Sequence, residues 1–250
     1  ARQGWKTWTL LCPILIRRET RRKAIMTFDP QADRRKNFAM TSNNLGQGRV
    51  QLSSWDNEDD REGAKQRWLD MISPSEPAWI FAYGSLMWDP GFVFEAVELA
   101  TIFGYHRRFC IYSHIYRGTP QHPGLVFGLD RGGSCQGRAF QIAPSAAREV
   151  LGMVWDREMI YRVYLPRDFY AHIGDRRMLC RTFVADPNHE QYAGRMCNRE
   201  AAKMIAGATG KAGPNNVYLE NTLNHLQSLG LKDGGLRRLQ SDVQRLTGER

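Results

Sequence analysis

No apolar run in this chain reaches the roughly twenty residues that a membrane-spanning helix requires, so no membrane partner is expected. There is no GxSxG elbow, no Walker-type phosphate loop and no GxGxxG, which removes motif support for serine-nucleophile chemistry and for nucleotide binding. The five cysteines, Cys12, Cys110, Cys135, Cys180 and Cys197, are odd in number, scattered and free of CxxC or Cys/His ligand spacing. A disulfide framework and a zinc site are therefore not expected, and reduced thiols favour the cytosol. The six histidines show no metal spacing either, so no metal or cofactor is expected.

A surplus of positive charge is present, but not in the body of the chain. The formal net charge is +9, of which residues 1 to 36 carry +7. The remaining residues are near neutral and give no electrostatic footprint for following a phosphate backbone, so no nucleic-acid partner is expected of them. The stretch WTLLCPILI (8–16) is too short for a span, contains Pro13, and is followed by Arg17 and Arg18 without a small-residue cleavage site, so it is a weak match to a signal segment. Met26 and Met40 are candidate natural starts within this basic tail.

What remains is enough for one substantial core: 250 residues, 42% hydrophobic and 11% aromatic. Residues 37–62 are rich in Asn, Ser, Gly, Asp and Glu and read as a linker, followed by a short helix over 62–72 that SPSEP (73–77) ends. The domain division expected is a basic, largely disordered extension over 1–77 and a folded domain over 78–250. Within the latter, strands are predicted at 79–83, 98–103, 105–112, 124–130 and 135–142, the last two joined by a turn at Arg131, Gly132 and Gly133. Later strands are predicted near 161–165 and 178–185, and helices at 144–157, 189–206, 214–229 and 235–247. Pro144 and Pro214 suit first helical positions. Strands first and helices afterwards argue for an α+β fold in which a curled or barrel-like sheet is flanked by helices. Neither composition nor motif sets an oligomeric state.

Two stretches carry chemistry. WIFAYGSLMWDP (79–90) is an apolar run broken by Tyr83, Gly84, Ser85 and Leu86. Glycine at a strand end brings backbone amides close to a ligand, and Ser85 with the following N–H groups can donate to a carboxylate; the same dipeptide also serves as an ordinary turn. In PSAAREVLGMVWDREM (144–159), Ala147, Val150, Leu151, Val154 and Trp155 follow the helical period and mark a buried face. Glu158 continues that face near the helix C-terminus, where burial and the helix dipole both raise a carboxyl pKa and make it a proton acceptor. The alternative is a structural ion pair with Arg157 or Arg162, or an exposed side chain beyond an earlier helix end. Arg117, in the Gly/Pro loop YRGTPQHPG (116–124), can hold a substrate carboxylate or be an exposed loop arginine. Tyr218 shares a helix face with Leu219, Thr222 and Leu226, which fits the core or the lining of a pocket.

WIFAYGSLMWDP, YRGTPQHPG, WDREM and GPNNVYL (213–219), in this order and spacing, resemble the ChaC branch of the γ-glutamylcyclotransferases, especially its bacterial members, over roughly residues 78–248. The resemblance implies a small β-barrel with surrounding helices and an enzyme that cleaves glutathione to 5-oxoproline and cysteinylglycine without metal or cofactor. It implies that Tyr83, Gly84, Ser85 and Leu86 hold the γ-glutamyl group, that Glu158 is the catalytic glutamate, and that Tyr218 lines the pocket. One stretch departs from the family: many members follow the glutamate with a glycine-containing GGY, whereas here Met159, Ile160, Tyr161, Arg162, Val163 and Tyr164 stand. Other γ-glutamyl amines or amino acids as substrates, a catalytically silent γ-glutamyl-binding module, and a nucleic-acid binder working through the basic tail are the competing readings.

Overall fold

Trp79, Ile80, Phe81 and Ala82 are all buried, so this strand shows no polar alternation, as expected where both faces are covered. The computed structural model describes residues 58–248; the basic tail, its candidate start sites and most of the linker lie outside the described residues. The elements in chain order are α1 (Glu58–Asp70), β1 (Ala78–Ala82), a 3₁₀ turn (Ser85–Met87), β2 (Ala96–Ser113), β3 (Gly124–Ile142), α2 (Pro144–Glu158), β4 (Tyr164–Ile173) and β5 (Arg176–Ala185). They continue with α3 (Asn198–Gly207), a two-residue pair β6 (Thr209–Gly210) and β7 (Gly213–Pro214), α4 (Asn215–Ser228) and α5 (Gly234–Thr247). The five long strands close into a barrel in the order β1-β3-β2-β4-β5, and β6 and β7 form a separate small ribbon. The α+β barrel expected from the sequence is thus present.

Glycine punctuation is where the structure departs most from the sequence reading. Gly104 with Gly132 and Gly133 does not divide β2 and β3 into four strands. Phe103 pairs with Ser134 and Tyr105 with Arg131, so the three glycines form a bulge inside one long antiparallel ribbon. All three have positive φ (87°, 100° and 69°), which other residues adopt with strain. The predicted turn at Arg131–Gly133 therefore bends the ribbon without reversing it. The strand expected near 161–165 begins at Tyr164 and continues to Ile173, paired along its length with β5.

The helix expected over 189–206 begins only at Asn198. Residues before it are drawn to β2 instead: Tyr192 bridges Ile111, and the Ala193 amide donates to the Cys110 carbonyl at 2.8 Å. Cys197 and Glu200 then cap the helix reciprocally. Pro144 occupies the first turn of α2 as expected, whereas Pro214 is the N-cap of α4.

The core does not begin at Ala78. Ala64, Trp68 and Leu69 of α1 belong to it, with the Trp68 ring 5.2 Å from Trp155 and 5.6 Å from Phe183. The division placed at residue 77 is corrected in this respect, because an indole with these neighbours is core and not extension. On α2 the predicted stripe Ala147, Val150, Leu151, Val154 and Trp155 is buried throughout.

One glycine sets how closely β1 approaches β3. A Cβ at Gly137 would stand 2.2 Å from the Ala82 carbonyl oxygen and 2.8 Å from Phe81 Cζ. Gly137→Ala is expected to destabilise the protein by about 3 kcal/mol, the upper part of the usual range for overpacking a core. Differential scanning calorimetry checks this, and an unchanged Tm would contradict it.

Candidate active site

β1 ends at Ala82 and the chain turns at once into the 3₁₀ turn. Gly84 has φ −123°, and a Cβ built on it meets nothing within 4 Å. Its value here is an uncovered backbone with open space beside it. Leu86 and Met87 are buried and anchor the turn, while Gly84 and Ser85 remain partly open. The first amides of a helical turn have no partner within it, so Ser85 and Leu86 present donors of the kind that hold an anion.

The carbonyls of this segment are taken up on the protein side. Arg107 Nε donates to the Tyr83 carbonyl. Arg138 Nη1 donates to that of Met87 at 2.6 Å, and Arg157 Nη1 to that of Asp89 at 2.9 Å. Arg157 also reaches Ser85 Oγ at 3.2 Å through Nη2. Three guanidinium groups from β2, β3 and α2 thus brace one turn.

Glu158 is the last residue of α2, its side chain 18% exposed. Burial raises its pKa above the ordinary carboxylate value, and the neighbouring Arg157 guanidinium, with Nε at 3.6 Å, opposes that only in part. The ion pair considered for Glu158 therefore exists, and its guanidinium is the one that braces the Ser85 turn.

Three tyrosines surround this carboxylate electrostatically. Tyr83 and Tyr164 are pushed well above their ordinary pKa, first by burial, with the Glu158 charge contributing. Tyr218 is raised to about 12, also by burial first. All three remain protonated at neutral pH and can donate. Tyr164 Oη donates to the Phe127 carbonyl at 2.7 Å, while the Phe127 backbone is also a hydrogen-bond partner of the Tyr218 hydroxyl. A single β3 residue thus orients two phenols.

Tyr218 is placed by a staple that the sequence does not advertise. Asn215, fully buried, accepts from the Leu125 amide at 2.7 Å and donates to the Leu125 carbonyl at 2.8 Å. Tyr218 follows one turn later on the same face, with its ring edge-on to Phe109 at 5.9 Å. Arg117 lies over that ring at 4.9 Å and donates through Nη1 to the Ala212 carbonyl at 2.6 Å. Its loop is held close: a Cβ at Gly124 would meet the Arg117 carbonyl at 2.1 Å and Asn215 Oδ1 at 2.8 Å.

The sequence-predicted residues are thus brought together as follows. Tyr83, Glu158 and Tyr218 share one electrostatic neighbourhood. The Gly84–Ser85 turn joins it through Arg157, and Arg117 through the Tyr218 ring. The Leu86 side chain belongs to the core, so only its backbone is free to face a ligand. Tyr164, Arg107 and Asn215 were given no role by sequence reasoning. Among the described residues, no group of three or more His, Cys, Asp or Glu side chains is placed to hold a metal ion.

The family described as "ChaC-like protein" matches residues 78–246. A glutathione-specific gamma-glutamylcyclotransferase from Escherichia coli K12 is 36% identical over 174 residues, covering 69% of this chain and 75% of its own length. One of the same name from Schizosaccharomyces pombe is 31% identical over 199 residues, covering 71% of this chain and 97% of its own. Among solved structures, a yeast gamma-glutamyl cyclotransferase specific to glutathione superposes with a TM-score of 0.63 over 70% of this chain and 99% of its own, at 22% identity, a likeness of fold. The family match runs from β1 into the last turn of α5 and takes in every residue of the site described above, and the chain belongs to the ChaC-like family.

Proposed function

We propose that the protein is a γ-glutamylcyclotransferase that cleaves glutathione to 5-oxoproline and cysteinylglycine. The observation that carries the chemistry is the Glu158 carboxyl, raised in pKa by burial and set among Tyr83, Tyr164 and Tyr218 beside the Ser85 turn. The substrate brings its own nucleophile. When the γ-glutamyl chain is folded, its α-amine reaches the γ-carbonyl carbon and closes a five-membered ring. The new C–N bond forms as the amide C–N bond to cysteine breaks, and the departing amine takes a proton.

Each group has a task in that sequence. The open amides of Ser85 and Leu86 receive the α-carboxylate, and Arg117, held over the Tyr218 ring, adds positive charge to the pocket from the Tyr218 side. Glu158 accepts the proton of the α-amine and returns it to the leaving amine. Tyr218, a phenol that stays protonated and whose proton is not committed to Phe127, donates to the oxygen on which negative charge develops. No helix among the described residues is long and apolar enough to cross a membrane. Cys110, Cys135, Cys180 and Cys197 are free thiols, which suits a cytoplasmic setting.

A second reading changes the substrate and keeps the reaction. The segment after Glu158 is bulky, with Arg162 at φ +54° and Tyr161 edge-on to Tyr116 at 6.2 Å. On this reading the Tyr116–Tyr161 pair bounds the mouth that receives the half of the substrate beyond the scissile bond, and so bears on which leaving group fits. Incubation with glutathione, γ-glutamyl dipeptides and γ-glutamylamines, with detection of 5-oxoproline, separates the readings. Glutathione is expected to be turned over fastest, and absence of 5-oxoproline from every one of them would end the enzymatic reading.

The pH dependence follows from the same carboxyl. As a base, Glu158 works ionised, so turnover rises with pH through its folded-state pKa and levels off above it. Because that pKa is raised, the ascending limb of kcat is expected above the ordinary glutamate value of about 4.3. A flat profile from pH 4 to pH 8 would contradict the assignment.

A further inference from the structure

Arg107 stands on β2, and its side chain is 4% exposed. A cation so removed from water persists only where its donors are used, and those of Arg107 are divided among three elements. Nε donates to the Tyr83 carbonyl just beyond β1. Nη2 donates to the Gln136 carbonyl on β3 at 2.7 Å, and Nη1 faces Asp233 Oδ2 at 3.3 Å. Asp233 is itself divided: its Oδ1 accepts from the Leu236 amide at 3.0 Å and caps α5.

The Tyr83 carbonyl is the point where the ladder of β1 stops. The antiparallel pairing with β3 ends at Ala82 opposite Arg138, and Tyr83 is buried. Its carbonyl therefore needs a donor from outside the backbone ladder, and the Arg107 side chain provides one. Fixing this oxygen fixes the plane of the peptide between Tyr83 and Gly84, and with it the direction in which the next amides point. Gly84 has no side chain to pack, so between Tyr83 and the buried Leu86 and Met87 the turn is held through its backbone.

We propose that Arg107 is a positioning residue for the Tyr83–Leu86 turn, and that Asp233, at the start of the last helix, orients it. The inference rests on reading that turn as the γ-glutamyl cradle. Arg107 touches no reacting atom. It holds the peptide from which the donor amides follow, and the planar fork of arginine, unlike the point charge of lysine, serves three acceptors in fixed directions.

The test uses Arg107→Lys and Asp233→Asn in the full chain. Arg107→Lys keeps the charge and removes the fork. Asp233→Asn keeps a good N-cap and removes the carboxylate. In Arg107→Lys, kcat/KM for glutathione is expected to fall on the order of a hundredfold, the cost of displacing a positioned substrate by about an ångström, with most of the loss in KM. The pH at which kcat rises should stay where Glu158 sets it. Asp233→Asn should change in the same direction by a smaller factor at near-parent Tm.

Amide hydrogen exchange of the peptide spanning Tyr83–Trp88 should quicken in both variants and not in Glu158→Gln. That readout does not depend on glutathione being the substrate, so it separates failure of the positioning role from failure of the functional reading. A merely structural role lowers Tm and leaves KM and exchange of this peptide at parent values. If Arg107→Lys does not fold, Asp233→Asn carries the test. A folded variant of either kind with parent KM and parent exchange at Tyr83–Trp88 overturns the proposal.

Discussion

Glu158→Gln is expected to lower the turnover of glutathione by roughly two to four powers of ten, the usual worth of general acid–base catalysis, while KM changes far less. The amide nearly matches the carboxylate in shape, so the turn at Ser85 and the tyrosines around it stay in place, and only proton acceptance is lost. The same substitution should make the protein more stable at neutral pH. The sign follows from the raised pKa of Glu158: the folded state holds this proton more tightly than the unfolded chain does. The wild type therefore loses stability as pH rises through the folded pKa, when the buried group must ionise. Glutamine carries no such penalty, so the variant's Tm should match the parent near pH 4 and exceed it at pH 7. A variant as active as the parent, or one less stable at pH 7 than at pH 4 relative to it, would count against a desolvated base and for a structural ion pair with Arg157.

Removing α1 should have the largest effect on stability. A chain beginning at Ser75 loses Ala64, Trp68 and Leu69 from the core and uncovers the rings of Trp155 and Phe183 that Trp68 meets. It also takes from Arg181, a buried cation, the Trp68 carbonyl to which its Nη1 donates and the ring whose centre lies 4.9 Å from its guanidinium, leaving Asp168 at 4.0 Å as its counter-charge. Trp68→Ala is the graded version of this loss, at about 3–5 kcal/mol for emptying a buried indole site, or a Tm lower by roughly 6–20 °C for a domain of this size. The exposed pair Arg148–Asp70 adds little, so Asp70→Ala should leave Tm nearly unchanged. A chain starting at Ser75 that melts with the parent would show that α1 is dispensable.

How far the sequence discloses this structure depends on whether a partner is local. The stripe of α2 needs no partner to be read, and it leads directly to Glu158. The apolar run that stops at Gly84 likewise announces a strand and a turn by itself. By contrast, Gly104, Gly132 and Gly133 look the same in sequence whether they close a hairpin or bulge a ribbon. What decides is the pairing of Phe103 with Ser134, which no window around either residue contains. Asn215 and Arg107 are hidden for the same reason. Their carbonyl and amide partners, at Leu125 and Tyr83, are backbone groups that every residue possesses. Trp68 falls in the short helix expected over 62–72, but its membership in the core depends on Trp155 and Phe183, which lie far along the chain.

The barrel is unevenly sewn. β2 with β3, and β4 with β5, pair along nearly their whole lengths. The two ribbons meet through a single registered pair on each side, Thr101 with His172 and Ile80 with Arg181. The second of these is parallel and joins residues 101 positions apart (181 less 80), a closure that costs chain entropy and that the Thr182 hydroxyl reinforces by donating to the Phe81 carbonyl at 2.8 Å. Hairpin-like ribbons can zip from neighbouring residues, whereas this seam has to wait until both are in hand. The strand on the near side of this seam is β1, laddered to β3 over Ala78–Ala82 and carrying Tyr83 and the turn beyond it. Closure of the barrel thus falls on the strand that leads into the site, so whatever loosens this seam loosens the support beneath the Tyr83 turn before it reaches the long ribbons.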